Sequence, residues 1–198
     1  YTLVRTIGQG AQGCLKEGLD YKGNRVAIKV IRRCPNQTSD ETQRIMNELQ
    51  SLMCFRRKPN IVNYLTEIST DEFTYIIMDL VSGEELLNVI HREHIINEDK
   101  ALLILSQLME ALSVIHEGGW AHRDIKPENI LVNIKSDKDI QVVLVDFGFA
   151  TRERFPERGI GTPGYCAPEV AGVGPYDSHS ADIWSAGAVL YAMLLGRI

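Results

Sequence analysis

The chain has 198 residues, 44% of them hydrophobic and 24% charged, enough for one large domain or two small lobes around an ordinary globular core. Lys and Arg number 21 against 26 Asp and Glu, a net charge of −5 with no long basic run. That balance argues against a nucleic-acid binder working by bulk electrostatics. The longest apolar-rich stretches, near 101–115 and 186–195, are too short or interrupted to span a bilayer, so no membrane partner is expected.

Four cysteines, Cys14, Cys34, Cys54 and Cys166, are widely spaced and form no CxxC pair. A disulfide framework or a structural zinc site is therefore not expected, and a reducing compartment fits, cytoplasmic with the nucleus as the alternative. No signal or transit segment is recognisable. The chain starts at Tyr1 and stops at Ile198 within an apolar run, as expected of a piece of a longer protein.

Residues 1–32 read as β structure. A mixed strand covers 1–7, and Gly8-Gln-Gly-Ala-Gln-Gly13 is a turn whose glycines allow close backbone approach. Strands follow at 15–19 and 25–32, joined through 20–24. Lys29 is the lone charge in Val26-Ala-Ile-Lys-Val-Ile31, so it either snorkels to water or meets an anion. After a loop at 35–39, Thr38 and Glu41 have the spacing of a capping box, and the helix behind them carries Ile45, Leu49, Leu52 and Met53 on one stripe. Glu48 borders that stripe, as an edge residue of a solvated face or as a group pointing near the core.

Residues 61–68 and 73–80 form an antiparallel pair across 69–72, and Ser82-Gly83 is the first plausible hinge between a β-rich and a helical part. A short helix at 84–92 precedes a long one from Glu98 to Glu117, capped by Asn97 and ended by Gly118-Gly119. Leu102, Leu105, Leu108, Met109, Leu112 and Ile115 form its core face. The polar stretch His122-Arg-Asp-Ile-Lys-Pro-Glu-Asn129 suits either a charged surface loop or a loop whose groups converge on a site. A hairpin at 130–134 and 141–145 leads to Asp146-Phe-Gly148, a polar segment runs to Gly161, and a helix occupies 181–195.

The glycine pattern alone is weak, and its place between two strands disfavours a dinucleotide fold. It is followed, however, by Lys29 in VAIK, Glu48 on a helix, HRD, an Asn five residues past its Asp, DFG and GTPGYCAPE, in one order. This set resembles the eukaryotic protein kinase catalytic domain over essentially the whole chain. The resemblance implies an α+β, two-lobed fold: a five-stranded antiparallel sheet with one helix in an N-terminal lobe (1–79), a hinge (80–83), and a mainly helical C-terminal lobe (84–198) lacking its last helices.

It also implies roles. Gly8, Gly10 and Gly13 would cover the ATP phosphates, Lys29 would hold them, and Glu48 would fix Lys29. Asp124 would orient the proton of the acceptor hydroxyl, and Lys126 would reach the γ-phosphate, as in enzymes acting on Ser or Thr. Asp146 and Asn129 would hold Mg²⁺. Thr162 would hydrogen-bond Asp124 and Lys126, and Asp182 would brace the HRD backbone.

Ile7, Leu15 and Ala27 would roof the adenine pocket, with Leu131 its floor and Met78 its gatekeeper. Backbone groups of Asp79 and Val81 would pair with the base. Glu85 would bind ribose or a substrate arginine, and Glu128 would sit near a basic peptide. His122 would pack structurally under Phe147; His91, His94, His116 and His179 have no metal-ligand spacing. DFGFA, GTPGYCAPEV and DIWSAGAVLYAML are most similar to the calcium/calmodulin-dependent kinase group, though calmodulin or any other regulator is not readable here.

Lys58 and Gln12 depart from common family residues without removing a catalytic group. Arg158 stands near the usual phosphosite, so Arg123 is expected to meet Glu153, Glu157 or nothing. Glu169 is expected to be a buried carboxylate whose usual arginine lies beyond the chain. The leading expectation is an active kinase on protein Ser/Thr acceptors; the alternative is a catalytically impaired nucleotide-binding or interaction module.

Overall fold

The computed structural model describes residues 1–10, 13–33 and 38–196. The tip of the glycine pattern with Gln12, Cys34 and the start of the expected 35–39 loop lie outside the described residues. Five strands, β1 (Thr2–Gly10), β2 (Gly13–Leu19), β3 (Arg25–Arg32), β4 (Tyr64–Ser69) and β5 (Phe73–Asp79), form one antiparallel sheet in the order β1-β2-β3-β5-β4. Helix α1 (Ser39–Cys54) follows β3 in the chain. The fold class expected from sequence is thus present: a five-stranded antiparallel sheet with one helix, then a mainly helical part consistent with a two-lobed kinase fold.

Strand alternation decides which way Lys29 faces. On β5, Ile76 and Met78 belong to the main core with Leu49 and Leu52 of α1, whereas Ile77 packs with Val26 and Ile28. Lys29 is paired with Ile76 across the ladder, so it shares the face that looks toward α1.

The remaining elements are β6 (Glu84–Glu85), α2 (Leu86–Glu93), α3 (Glu98–Glu117), β7 (Ile130–Ser136), β8 (Asp139–Leu144) and α4 (Ser178–Leu195). Strands β6, β7 and β8 make a second sheet, and α3 packs between β8 and α4. Ala101, Ile104, Leu108, Ala111, Leu112 and Ile115 line its fully buried face. Each leucine or isoleucine among them contributes about 1.5–3 kcal/mol when removed from water.

Several expectations need correction. Strand β1 runs on through Gly8 to Gly10, narrowing the glycine turn, because ladder pairing continues to Gly10 opposite Gly13. Residues 61–63 are not strand; Ile61 makes only an isolated parallel bridge to Leu144. Glu84 and Glu85 pair with Val132 and Leu131 before the helix starts at Leu86. Strand β7 extends to Ser136, which pairs with Asp139 and shortens the hairpin turn. Helix α4 begins three residues early because the Asp177 carboxylate accepts from the His179 and Ser180 amides.

Met53 and Leu102 are not core: they are 56% and 48% exposed on the outer edges of their helices. Glu169 is exposed rather than buried. Helix α4 leaves Ile183, Trp184, Tyr191 and Leu195 exposed.

Candidate active site

Helix α1 is fixed at its start by the reciprocal capping box of Thr38 and Glu41. Two turns later this places Glu48 in the interior, 2% exposed. Its Oε1 accepts from Lys29 Nζ at 2.5 Å, and the same ammonium donates to Asp146 Oδ1 at 2.9 Å. Glu48 thus points into the core and not along a solvated face, and Lys29 meets anions instead of snorkelling. Burial disfavours the Lys29 charge, but Glu48 and Asp146 outweigh it and hold the ammonium above the ordinary lysine range. Burial likewise opposes ionisation of Asp146, yet Lys29 holds its carboxyl below the usual range.

The loop 122–129 lies beside this cluster. Asp124 is buried, and every contact of its carboxylate is with a neighbour of named role. Thr162 Oγ1 donates to its Oδ1 at 2.6 Å, Asn129 Nδ2 donates to its Oδ2 at 3.1 Å, and Lys126 Nζ lies 2.9 Å from Oδ2. Lys126 also donates to Thr162 Oγ1 at 3.0 Å. Because Asn129 Nδ2 donates as well to the Asp124 carbonyl, at 2.8 Å, its amide oxygen is left to point elsewhere.

The loop itself is held from below. Asp182 accepts the backbone N–H groups of His122 and Arg123 at 2.9 and 2.8 Å. Those bonds support a left-handed backbone at Arg123, φ 66°; Asp146 is left-handed too, at 61°. Such conformations cost about 1–3 kcal/mol and concentrate at functional sites. Both ring nitrogens of His122 are engaged within the fold. Its Nδ1 accepts from the Asp124 N–H at 3.3 Å, its Nε2 donates to the Val145 carbonyl at 3.1 Å, and its ring meets Phe147 edge-on at 4.9 Å.

The residues expected around an adenine are of mixed burial. Ala27 and Met78 are buried and directly paired, while Ile7, Leu15, Val81 and Leu131 are half-buried. Glu85 is opposite Leu131 on adjacent strands. The Asp79 N–H is taken by the Asn63 carbonyl at 3.0 Å, whereas Val81 makes no backbone hydrogen bond among the described residues. Gly8 is paired with Leu15, and Gly10 with Gly13. A Cβ at Gly13 would sit 2.3 Å from the Val30 carbonyl oxygen, so only glycine fits there.

The segment after Asp146 is anchored without any carboxylate on the Arg123 side chain. Arg123 Nε donates to the Phe149 carbonyl at 2.8 Å; of the alternatives expected, no pairing with Glu153 or Glu157 is formed, and a backbone carbonyl takes the guanidinium instead. Asn47 of α1 donates to the Ala150 carbonyl at 3.3 Å, and Arg158 pairs with Asp40 at 3.2 Å. Thr151 is buried and its backbone is doubly bonded to Ala121. Sequence reasoning missed Asn47, Asp40 and the role of His116, which donates to Asp182 at 2.9 Å; no motif marks them.

The oxygen donors fit a hard cation. The Asp146 carboxylate and the Asn129 amide oxygen are hard donors of the kind that hold a small cation together with ligand phosphates.

Comparison with known proteins places the chain. The protein kinase domain family model matches residues 1–198. Sperm motility kinase 2B of Mus musculus is 35% identical over 204 residues, covering all of this chain and 40% of that protein. CBL-interacting protein kinase 24 of Oryza sativa subsp. japonica is 34% identical over 206 residues, covering all of this chain and 44% of that protein. The chain thus spans less than half the length of these relatives. A family match over every residue, on a fold that brings Lys29, Glu48 and Asp146 into one cluster, leaves one conclusion: the chain belongs to the protein kinase family.

Proposed function

We propose that this chain is the catalytic part of a serine/threonine protein kinase that transfers the ATP γ-phosphate to protein hydroxyls, nearest to the calcium/calmodulin-dependent group. The observation that carries the proposal is Lys29 bridging Glu48 and Asp146, since phosphoryl transfer depends on that ion pair and that carboxylate being in place together. Asp146 and the Asn129 amide oxygen would hold Mg²⁺, which supplies charge neutralisation at the phosphates.

Lys29 would orient the α- and β-phosphates under the backbone of Gly8, Gly10 and Gly13. The adenine would lie between Ile7, Leu15 and Ala27 on one side and Leu131 on the other, beside Met78. The Asp79 carbonyl and the Val81 N–H are the backbone groups suited to the base edge. Residues 80–83 form the hinge between an N-terminal lobe, 1–79, and a C-terminal lobe starting at 84, and Glu85 at its exit would meet ribose or a substrate arginine.

Asp124 would take the hydroxyl proton. Thr162 and Lys126 fix its carboxylate, and Lys126 is the group that favours Ser and Thr acceptors. A preference for basic residues N-terminal to the acceptor is supported at Glu128. Its Oε2 is buried with no hydrogen-bond partner among the described residues. Burial, with the Glu128 charge behind it, pushes the nearby Tyr165 phenol up to about 12. Among the described residues Glu128 has no salt-bridge partner, and a guest arginine would supply one.

A peptide panel tests this. With Mg-ATP, Ser and Thr peptides carrying an upstream Arg are expected to be phosphorylated, and the matched Tyr peptide not. Equal labelling of Tyr would overturn the acceptor assignment; nucleotide binding with no transfer to any peptide would favour a non-catalytic module.

A further inference from the structure

A second polar network runs from the segment after β8 to the underside of the catalytic loop. Arg154 donates to Asp177 Oδ2 at 2.6 Å and to His179 Nδ1. The His179 ring stacks on His116 with centroids 4.2 Å apart and planes 8° from parallel. His116 Nε2 donates in turn to Asp182 Oδ2, the carboxylate that holds the His122 and Arg123 amides. Five side chains from three separate parts of the chain therefore connect the segment 152–158 to the loop carrying Asp124.

We propose that Arg154, His179 and His116 are positioning residues that hold the catalytic loop through Asp182, and that protonation of His179 loosens it. The catalytic part of this inference rests on the kinase reading above. The hydrogen-bond chemistry sets the sign. A guanidinium N–H can bond His179 Nδ1 only through its lone pair, so the arrangement holds His179 neutral. Protonation puts a second donor against the first and expels Arg154 from the ring. It also creates a cation facing His116, and that cation competes for the Asp182 carboxylate. Arg123, in a left-handed backbone conformation, then loses its support.

The charged groups around the pair are Arg154, Asp177 and Asp182; His122 and Arg123 contribute only backbone N–H groups to Asp182. Burial first, then His116 and Arg154, keep His179 below the ordinary imidazole value, outweighing the two aspartates. The neutral, anchored state is therefore complete above about pH 6.5 and is lost as pH falls through the folded value.

The test is a pair of pH profiles on the full chain between about pH 5 and 8, the range in which imidazole titrates. Steady-state phosphorylation is measured for wild type, His179→Gln and Arg154→Gln, with kcat and the KM for ATP separated. Glutamine at 179 can still accept from Arg154 but cannot take a proton. Wild-type kcat is expected to drop on the acid side with KM unchanged. The His179→Gln variant is expected to keep neutral-pH kcat and to shrink the acid loss by about threefold or more.

In parallel, the amide NMR signals of His122 and Arg123 are followed through the same range. They are expected to track the titration in wild type and to lose that dependence in His179→Gln, whereas Arg154→Gln, which removes the anchor, is expected to show shifted signals already at neutral pH. Superimposable pH profiles together with amide signals blind to the titration would overturn the proposal. Amide signals that titrate in a chain with no phosphotransfer at any pH would contradict the kinase reading while supporting the linkage.

Discussion

At the scale of single residues, the site is defined by charges that are stable only in each other's company. Lys29→Met leaves the buried Glu48 carboxylate uncompensated and unties Asp146, so kcat is expected to fall by about 100-fold or more in a peptide assay. The two shifts also set a pH window. Lys29, raised, contributes stability below its ordinary value of 10.5 that is lost only as pH rises through the folded value. Asp146, lowered, contributes above its ordinary 3.8 and loses that contribution as pH falls through its folded value. In a thermal melt followed across pH, Lys29 and Asp146 should be silent between those limits, while Glu48, raised above its ordinary 4.5 by burial, and His179 are the groups expected to titrate within them.

At Thr162 the hydroxyl both donates to Asp124 and accepts from Lys126. Thr162→Val is therefore expected to lower kcat about 10- to 100-fold, and Thr162→Ser to restore most of it. The residues of the cluster were legible in the sequence because each sits in a short motif at fixed spacing. Arg123 was not: its partner is a backbone carbonyl, and no residue type encodes that. The stacking of His116 on His179 was equally hidden, since 63 positions and two helices separate them.

At the scale of elements, α1 carries Glu48 to Lys29, and its entry is set by one cap. Thr38→Ala removes half of the capping box and is expected to cost about 1 kcal/mol, read as a lower melting temperature. Leu112→Ala in the buried face of α3 should cost more, about 2–5 kcal/mol, because the neighbours on β8 and α4 cannot collapse into the space. The helices were readable from periodicity and caps, and the five-stranded sheet was implied by the resemblance. Element edges were less so. Glu84 and Glu85 look helical in sequence, but an open strand, β7, lies alongside and pairs with them. Helical spacing put Met53 and Leu102 on an apolar stripe, yet spacing fixes only a face, and how wide a face is covered depends on the neighbouring elements.

At the scale of the whole molecule, the segment 147–161 joins α1, the catalytic loop and α4 without a phosphate. Phe149 and Ala150 carbonyls accept from Arg123 and Asn47, Thr151 pairs with Ala121, and Ser178 Oγ donates to the Glu153 and Arg154 carbonyls. Protein made in a host that leaves it unphosphorylated is expected to match the kcat of protein exposed to an upstream kinase; a strict need for that kinase would contradict it. Asp40→Ala should matter little, about 1 kcal/mol or less by thermal melt, since Asp40 and Arg158 are both largely in water.

The most direct measurement is transfer of labelled γ-phosphate from Mg-ATP to a Ser peptide, comparing wild type with Asp146→Ala at equal folded protein. Transfer by wild type and a loss of about 100-fold or more in the variant is the expected result. Equal rates in the two, or no transfer by either, would contradict the assignment of catalysis to this cluster.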